Sequence, residues 1–360
     1  MALTPARVAV GRVVLRAEDL TIGYVQRRRP PLVVAEGISV ALQRGELVCL
    51  LGPNGAGKST LIRTLSGMQR PLAGWVRLHG TPVHDLSPRA LARRLSVVLT
   101  ERVEVGALAA EDLVALGRYP YTDWSGRLTE RDEHIVGLAM ETVGASPLAK
   151  RKVNELSDGE RQKVMIARAL AQEPTVMILD EPTAFLDLPR RVDIMGTLRR
   201  LARQTGQAIL LSTHDLDLAL RNADTLWLLP QGGTLQAGAP EDLVLNGAFQ
   251  AAFAMDGIEF DTYSGSFRLP GRRCGEVALY GNGVQALWTA RALEREGFSA
   301  RSDGVGSALS VEVLSHDGHT QWRVHRGQAR QTCRSIAEVI ACLRGGDERL
   351  EHRRFVSDDG

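Results

Sequence analysis

The residues Gly52-Pro53-Asn54-Gly55-Ala56-Gly57-Lys58-Ser59-Thr60 carry the pattern GxxxxGK[ST] between an apolar run and the start of a helical one. The glycines let backbone N–H groups turn inward around phosphate oxygens, and the helix N-terminus adds partial positive charge at the same place. Lys58 has the reach for the β- and γ-phosphates of a nucleotide, and Ser59 has the hydroxyl for Mg²⁺. Farther along, Asp180 and Glu181 end a second apolar run, Val176-Met177-Ile178-Leu179. A carboxylate at that place can hold Mg²⁺ through water, and the next can accept a proton from an attacking water. Ser157 and Gly159 precede a helix and present its N-terminus to an anion. The ring of Tyr24 is a flat apolar face on which a base could stack; its alternative is a plain strand aromatic.

These groups need elements to hold them. Residues 12–24 alternate as a strand does. Residues 38–52 read as a strand, an Arg-Gly turn and a buried strand ending at Gly52. A helix is expected over 58–68, a strand over 74–80, and a helix running into a strand over 87–100. Residues 107–172 are helical in pattern, with polar breaks at 120–126 and 146–147. Then come a strand at 176–182, a helix at 189–205, a strand at 208–215, a helix at 216–222 and a strand at 225–229. Short buried strands alternating with helices predict an α/β fold on a parallel sheet. Periodicity weakens around 246–275, where a boundary is expected. Residues 276–345 read as a second small α/β unit. It has a strand, a Gly281-Asn282-Gly283 turn, a long helix, strands near 308–314 and 320–326, and a helix near 333–343. The expected domains are 1–245, with a helical subdomain about 101–172, then 262–345, then a frayed tail over 346–360.

Composition limits the function classes. The 360 residues carry 44 basic and 42 acidic side chains, a net charge of +2. No global field argues for nucleic acid or an anionic membrane. Lys occurs only at 58, 150, 152 and 163, which makes its position in the phosphate loop informative. Cys49, Cys274, Cys333 and Cys342 form no CxxC pair, so a reducing compartment is expected. The first twenty residues show no signal-peptide pattern, and no apolar run reaches ~18 residues, so no span is expected. His316 and His319 flank an Asp-Gly turn, and two ligands do not make a metal site.

Further motifs fall in order around the phosphate loop. Leu156-Ser157-Asp158-Gly159-Glu160 resembles the LSGGQ signature of ABC-type ATPases. Val176 to Pro182 resembles their Walker B strand, Phe185-Leu186-Asp187-Leu188 their D-loop, and Ser212-Thr213-His214-Asp215 their switch histidine. The resemblance covers about residues 12–240. It implies a P-loop NTPase fold of the ABC ATPase type, with a helical signature subdomain, beside the small C-terminal α/β domain. It implies ATP and Mg²⁺ as cofactors, with Lys58, Glu181 and His214 catalytic and Ser59 and Asp180 at the metal. Tyr24 takes the adenine-stacking place, Asp187 belongs to the D-loop, and Ser157 and Gly159 meet the γ-phosphate bound by a second copy. Glu101 stands where the family usually has Gln, and is expected at the metal and nucleotide. Asp158 and Glu160 depart from the family's Gly and Gln; a solvated surface role is the alternative reading for both.

One nucleotide-binding unit without a membrane span resembles the separate ATP-binding subunit of an importer. Glu111 to Pro120 resembles the branch that imports iron–siderophores, haem and cobalamin; the alternative is that Arg118-Tyr119-Pro120 merely ends a helix. The implied partners are integral membrane permease subunits, a second copy bound head to tail and, indirectly, a substrate-binding protein, with no direct nucleic acid contact. The implied location is peripheral, on the cytoplasmic face of the inner membrane. The rivals are import of another solute or metal, and a soluble ABC-type ATPase acting on nucleic acid or ribosomes. A regulatory or dimer-contact role is expected for the C-terminal unit.

Overall fold

The computed structural model describes residues 12–100, 106–253, 259–262, 265–268, 274–301, 309–316 and 319–344. Contacts divide the chain into two units, residues 1–267 and 268–360.

The first unit is built on a six-stranded sheet. In spatial order its strands are Gln236–Gly238, Thr225–Leu228, Leu47–Leu51, Ala208–Ser212, Val176–Leu179 and Leu95–Val98. All neighbours are parallel except the edge pair of Gln236–Gly238 with Thr225–Leu228. Leu47–Leu51, Val176–Leu179 and Ala208–Ser212 are buried throughout, as continuous apolar runs covered on both faces must be. Alternation then divides them between two cores. Leu47, Cys49 and Leu51 join Met177, Leu179, Ile209 and Leu211 on one face, while Val48 and Leu50 join Val176, Ile178 and Leu210 on the other. Burial of Cys49 pushes its thiol far above the usual cysteine range, with the Asp224 carboxylate adding to it.

The second core also receives one face of a four-stranded antiparallel sheet, ordered Leu32–Gln43, Val13–Tyr24, Ala73–Leu78, Thr81–Pro82. The first core receives the helices Ala110–Ala115, Glu130–Thr142 and Asp158–Ala171.

Arg118 holds that helical part together. It is 2% exposed; Nε donates to Asp132 Oδ1 at 2.8 Å, and Nη1 donates to Ala171 O at 2.7 Å and Glu173 Oε2 at 2.8 Å. Its guanidinium carbon lies 4.0 Å from the ring centroid of Tyr121. Burial pushes the Asp132 carboxyl up, but the Thr129 hydroxyl and N–H and the Arg118 guanidinium hold it below the usual range. Arg118 thus closes the short helical turn Leu116–Arg118 and is at the same time a buried hub.

The first unit runs past residue 245. Helices Pro240–Leu245 and Ala248–Ala252 follow, and Phe249 is fully buried in the first core. Its ring centroid lies 5.3 Å from Phe253, 4.9 Å from Phe260 and 6.3 Å from Phe267. Aromatic packing, not periodicity, carries this stretch, which is why the pattern fades there.

The second unit is a five-stranded mixed sheet, ordered Phe298–Arg301, Gly275–Tyr280, Leu309–His316, His319–Arg326, Ala329–Cys333. Helices Gly283–Arg295 and Ile336–Arg344 contribute Leu293, Val339, Ile340 and Leu343 to a core with Val277, Val311, Trp322 and Val324. Inside it, Trp322 Nε1 donates to Thr289 Oγ1 at 2.7 Å. The two outer strands, Phe298–Arg301 and Ala329–Cys333, are absent from the expectation. Both are short sheet edges with largely exposed side chains and little alternation to read. Among the described residues, no helix is long and apolar enough to cross a membrane.

Candidate functional site

Three central strands deliver the site residues at their C-terminal ends, where parallel α/β sheets place ligands. Leu47–Leu51 leads into the phosphate loop and helix Lys58–Leu65, Val176–Leu179 into Asp180 and Glu181, and Ala208–Ser212 into His214.

Backbone geometry makes the loop a cradle. Gly57 has φ +101°, a conformation side chains rarely adopt, and a Cβ at Gly52 would fall 2.2 Å from the carbonyl oxygen of Leu229. Lys58, 7% exposed, folds back beneath the loop and donates to Gly52 O at 2.8 Å and Pro53 O at 3.1 Å. Burial pushes its ammonium below the usual lysine range, while nearby Glu181 and Asp180 pull it up. Ser59 is exposed and Thr60 is buried, with Thr60 Oγ1 3.0 Å from the hydroxyl of Tyr24. That hydrogen bond ties the tyrosine to the loop while 43% of the residue stays exposed.

Asp180 is buried and accepts from Ser212 Oγ at 2.6 Å. The Glu181 N–H donates to the same Ser212 oxygen at 2.9 Å. The site thus turns on Ser212, a residue quoted in the sequence only as the opening of the histidine motif. It sits on the next strand, opposite the two acids, and no pattern along the chain reveals that. Glu181 has φ +49°, a left-handed backbone costing a non-glycine residue about 1–3 kcal/mol. Its Oε1 accepts from His214 Nε2 at 2.6 Å. Ser212 holds the backbone of Glu181 and His214 holds its carboxylate.

Ser157 and Gly159 flank Asp158, which lines one cavity with Asp180 and Glu181. Among the described residues, no hydrogen bond joins either of them to the phosphate loop, Asp180, Glu181 or His214. They start helix Asp158–Ala171, which Ser157 caps in a reciprocal box. Glu160 Oε2 accepts from the Ser157 N–H at 2.8 Å and from Ser157 Oγ at 2.9 Å. Glu160 Oε1 accepts from Arg151 Nη1 at 2.7 Å. The Ser157 N–H, its hydroxyl and Arg151 hold this carboxyl below the usual range. Glu160 is thus an anchored helix cap, not a free surface acid. Asp187 caps the next helix, Leu188–Thr205, accepting from the Arg190 N–H at 3.1 Å. Glu101 lies outside the described residues.

The donor set fits a nucleotide with a hard cation. The loop is a cradle that side chains would fill, Lys58 is a buried cation beside it, and an exposed hydroxyl and a buried carboxylate are oxygen ligands of the kind Mg²⁺ takes. Fold and site together define a P-loop NTPase.

The chain matches the family model described as ABC transporter over residues 35–184, and that described as Iron ABC transporter C-terminal domain over residues 274–344. It is 44% identical over 255 residues to an uncharacterized ABC transporter ATP-binding protein of Methanocaldococcus jannaschii, covering 71% of this chain and 86% of that protein. It is 38% identical over 230 residues to the ferric enterobactin transport ATP-binding protein of Escherichia coli, covering 64% and 83%. Among solved structures, an ATP binding subunit of an ABC transporter is similar with a TM-score of 0.55 at 28% identity, covering 67% of this chain and 95% of that one. The chain belongs to the ABC transporter ATP-binding proteins, ATPases whose hydrolysis is coupled to transport.

Proposed function

We propose that this ATPase drives import of an iron chelate through a separate membrane permease. The observation that carries the substrate class is the second unit, whose residues 274–344 match the Iron ABC transporter C-terminal domain. The ferric enterobactin protein supports the same class. The partners are permease subunits, a second copy of this chain and, indirectly, a substrate-binding protein. The subunit works peripherally on the cytoplasmic face of the membrane.

In this reading, the loop from Gly52 to Gly57 with Thr60 cradles the phosphates, Tyr24 stacks on adenine, and Ser59 and Asp180 hold Mg²⁺. Held by Ser59 and Asp180, Mg²⁺ would supply positive charge against the phosphates. Lys58 gives up its two carbonyl partners for phosphate oxygens. Glu181 accepts the proton of the attacking water; His214 keeps its carboxylate from swinging away, and Ser212 fixes its backbone N–H. Ser157 and Gly159 of one copy close on the nucleotide of the other, and Asp187 lies in the D-loop beside that junction. Closure drives the permease, and hydrolysis resets it.

The test is retrieval of Glu181→Gln protein from detergent-solubilised native membranes with ATP and Mg²⁺. The expected partner is a polytopic permease, which on reconstitution with wild-type ATPase and its binding protein takes up a ferric chelate. Uptake of cobalamin but not the ferric chelate would reassign the substrate. Nucleic acid or ribosomal protein with no permease would discard the importer reading.

A further inference from the structure

The reading in which two copies share a nucleotide brings the N-terminus of helix Asp158–Ala171 to a phosphate, and the inference below rests on it. Acidic side chains stand at that end of the helix. Asp158 and Glu160 flank Gly159, and two carboxylates repel an arriving phosphate. Three arginines surround them, and two are already committed. Arg151 donates to Glu160 at 2.7 Å and to Glu155 O at 2.9 Å. Arg161 reaches Asp158 at 3.4 Å and Leu156 O at 3.2 Å. Lys163, one turn along from Gly159, is held 2.7 Å from Asp193.

Arg190 differs. It comes from the neighbouring helix Leu188–Thr205, and its stem lies on Gly159. A Cβ at Gly159 would fall 2.7 Å from Arg190 Cδ and 3.3 Å from its Nε. A larger residue at 159 would push the arginine out of this seat. Among the described residues, the guanidinium donates no hydrogen bond. Its nearest ion-pair contact is Asp187 Oδ1, 3.9 Å from Nε and beyond hydrogen-bond reach. The side chain is 52% exposed. A planar cation with free donors is therefore seated against the backbone that meets the phosphate, and such forks bind phosphate oxygens in pairs.

We propose that Arg190 is a further phosphate-binding residue acting in trans. In the closed pair its guanidinium donates to γ-phosphate oxygens of the nucleotide held by the other copy's phosphate loop.

The experiment uses full-length Glu181→Gln protein with ATP and Mg²⁺, alone and combined with Arg190→Ala, Arg190→Gln or Arg190→Lys. Dimerisation is followed by analytical ultracentrifugation. Binding of a fluorescent ATP analogue is measured on dilute monomer, and thermal unfolding reports the fold. The Ala and Gln variants should weaken ATP-driven dimerisation about tenfold or more, the scale of a lost charge-assisted bond. Monomer affinity for the analogue should hold, and Lys should recover part of the loss. Unchanged dimerisation in both folded variants would overturn the proposal, as would an equal loss of affinity in the monomer, which places Arg190 in cis. If the Glu181→Gln parent itself stays monomeric with ATP, the shared-nucleotide reading fails, and the proposal falls with it.

Discussion

Ser212 joins the two acids of the proposed hydrolytic site. One hydroxyl donates to buried Asp180 and accepts from the Glu181 N–H. Ser212→Ala takes a partner from the buried Asp180 carboxylate and from the half-buried Glu181 N–H, at a cost of about 1–3 kcal/mol. The variant is expected to bind ATP and to lose about tenfold or more in kcat, read by steady-state hydrolysis; wild-type kcat would show that Glu181 needs no such anchor. Glu181→Gln should retain ATP and lose at least about a hundredfold in turnover, the usual scale of a general base. Preserved turnover in a phosphate-release assay would remove Glu181 from that role. The carboxylates were legible in the sequence because strand, acid pair and proline stand together along the chain. Ser212 was not, since its partners lie 32 and 31 residues away on an adjacent strand.

Two elements of the helical part carry predictions of their own. The cap of helix Asp158–Ala171 makes stability depend on pH. Glu160 sits below the usual carboxyl range in the folded chain, so the unfolded chain binds more protons at acid pH. Its contribution is complete above the ordinary glutamate value and is lost as pH falls through the depressed one. Urea unfolding of Glu160→Ala and wild type should differ at neutral pH and converge as pH falls below the ordinary carboxyl range; a gap that stays constant would mean the cap is not ionic. Arg118 is the second case. Arg118→Ala strands the buried Asp132 carboxylate, and breaking a buried pair costs about 3–5 kcal/mol. A denaturant midpoint within error of wild type would refute the hub. From sequence, Arg118 read equally well as part of a family motif or as a helix end, because its partners at 132, 171 and 173 are far along the chain.

At the scale of the molecule, the end of the first unit decides how the chain can be cut. Phe267 lies 5.0 Å from Phe260 and 5.9 Å from Phe253, ring to ring. A truncation removing 262–360 takes Phe267 away, while one removing 269–360 keeps it. The shorter protein should lose about 1–2 kcal/mol more, from apolar burial alone, and melt a few degrees lower. Equal melting temperatures would show that Phe267 contributes nothing. With the longer truncation, altered ATPase or dimerisation would support a regulatory or dimer-contact role for the second unit; unchanged transport, ATPase and dimerisation would dismiss it.

Sequence by itself carried the residue types of the candidate site and the strand–helix alternation of the first unit. A glycine-rich loop opening a helix and an acid pair ending an apolar strand are local patterns with local causes, visible without a fold. It also determined the class of the sheet, because strands covered on both faces must be apolar throughout. Tertiary structure alone decided which hydroxyl serves the acids, that Arg118 and Glu160 are structural anchors, and that Phe249 to Phe267 belong to the first unit. It also set Arg190 against Gly159. Each of these depends on residues brought together from separate elements, and the distance between two elements in space is set by packing rather than by their spacing along the chain.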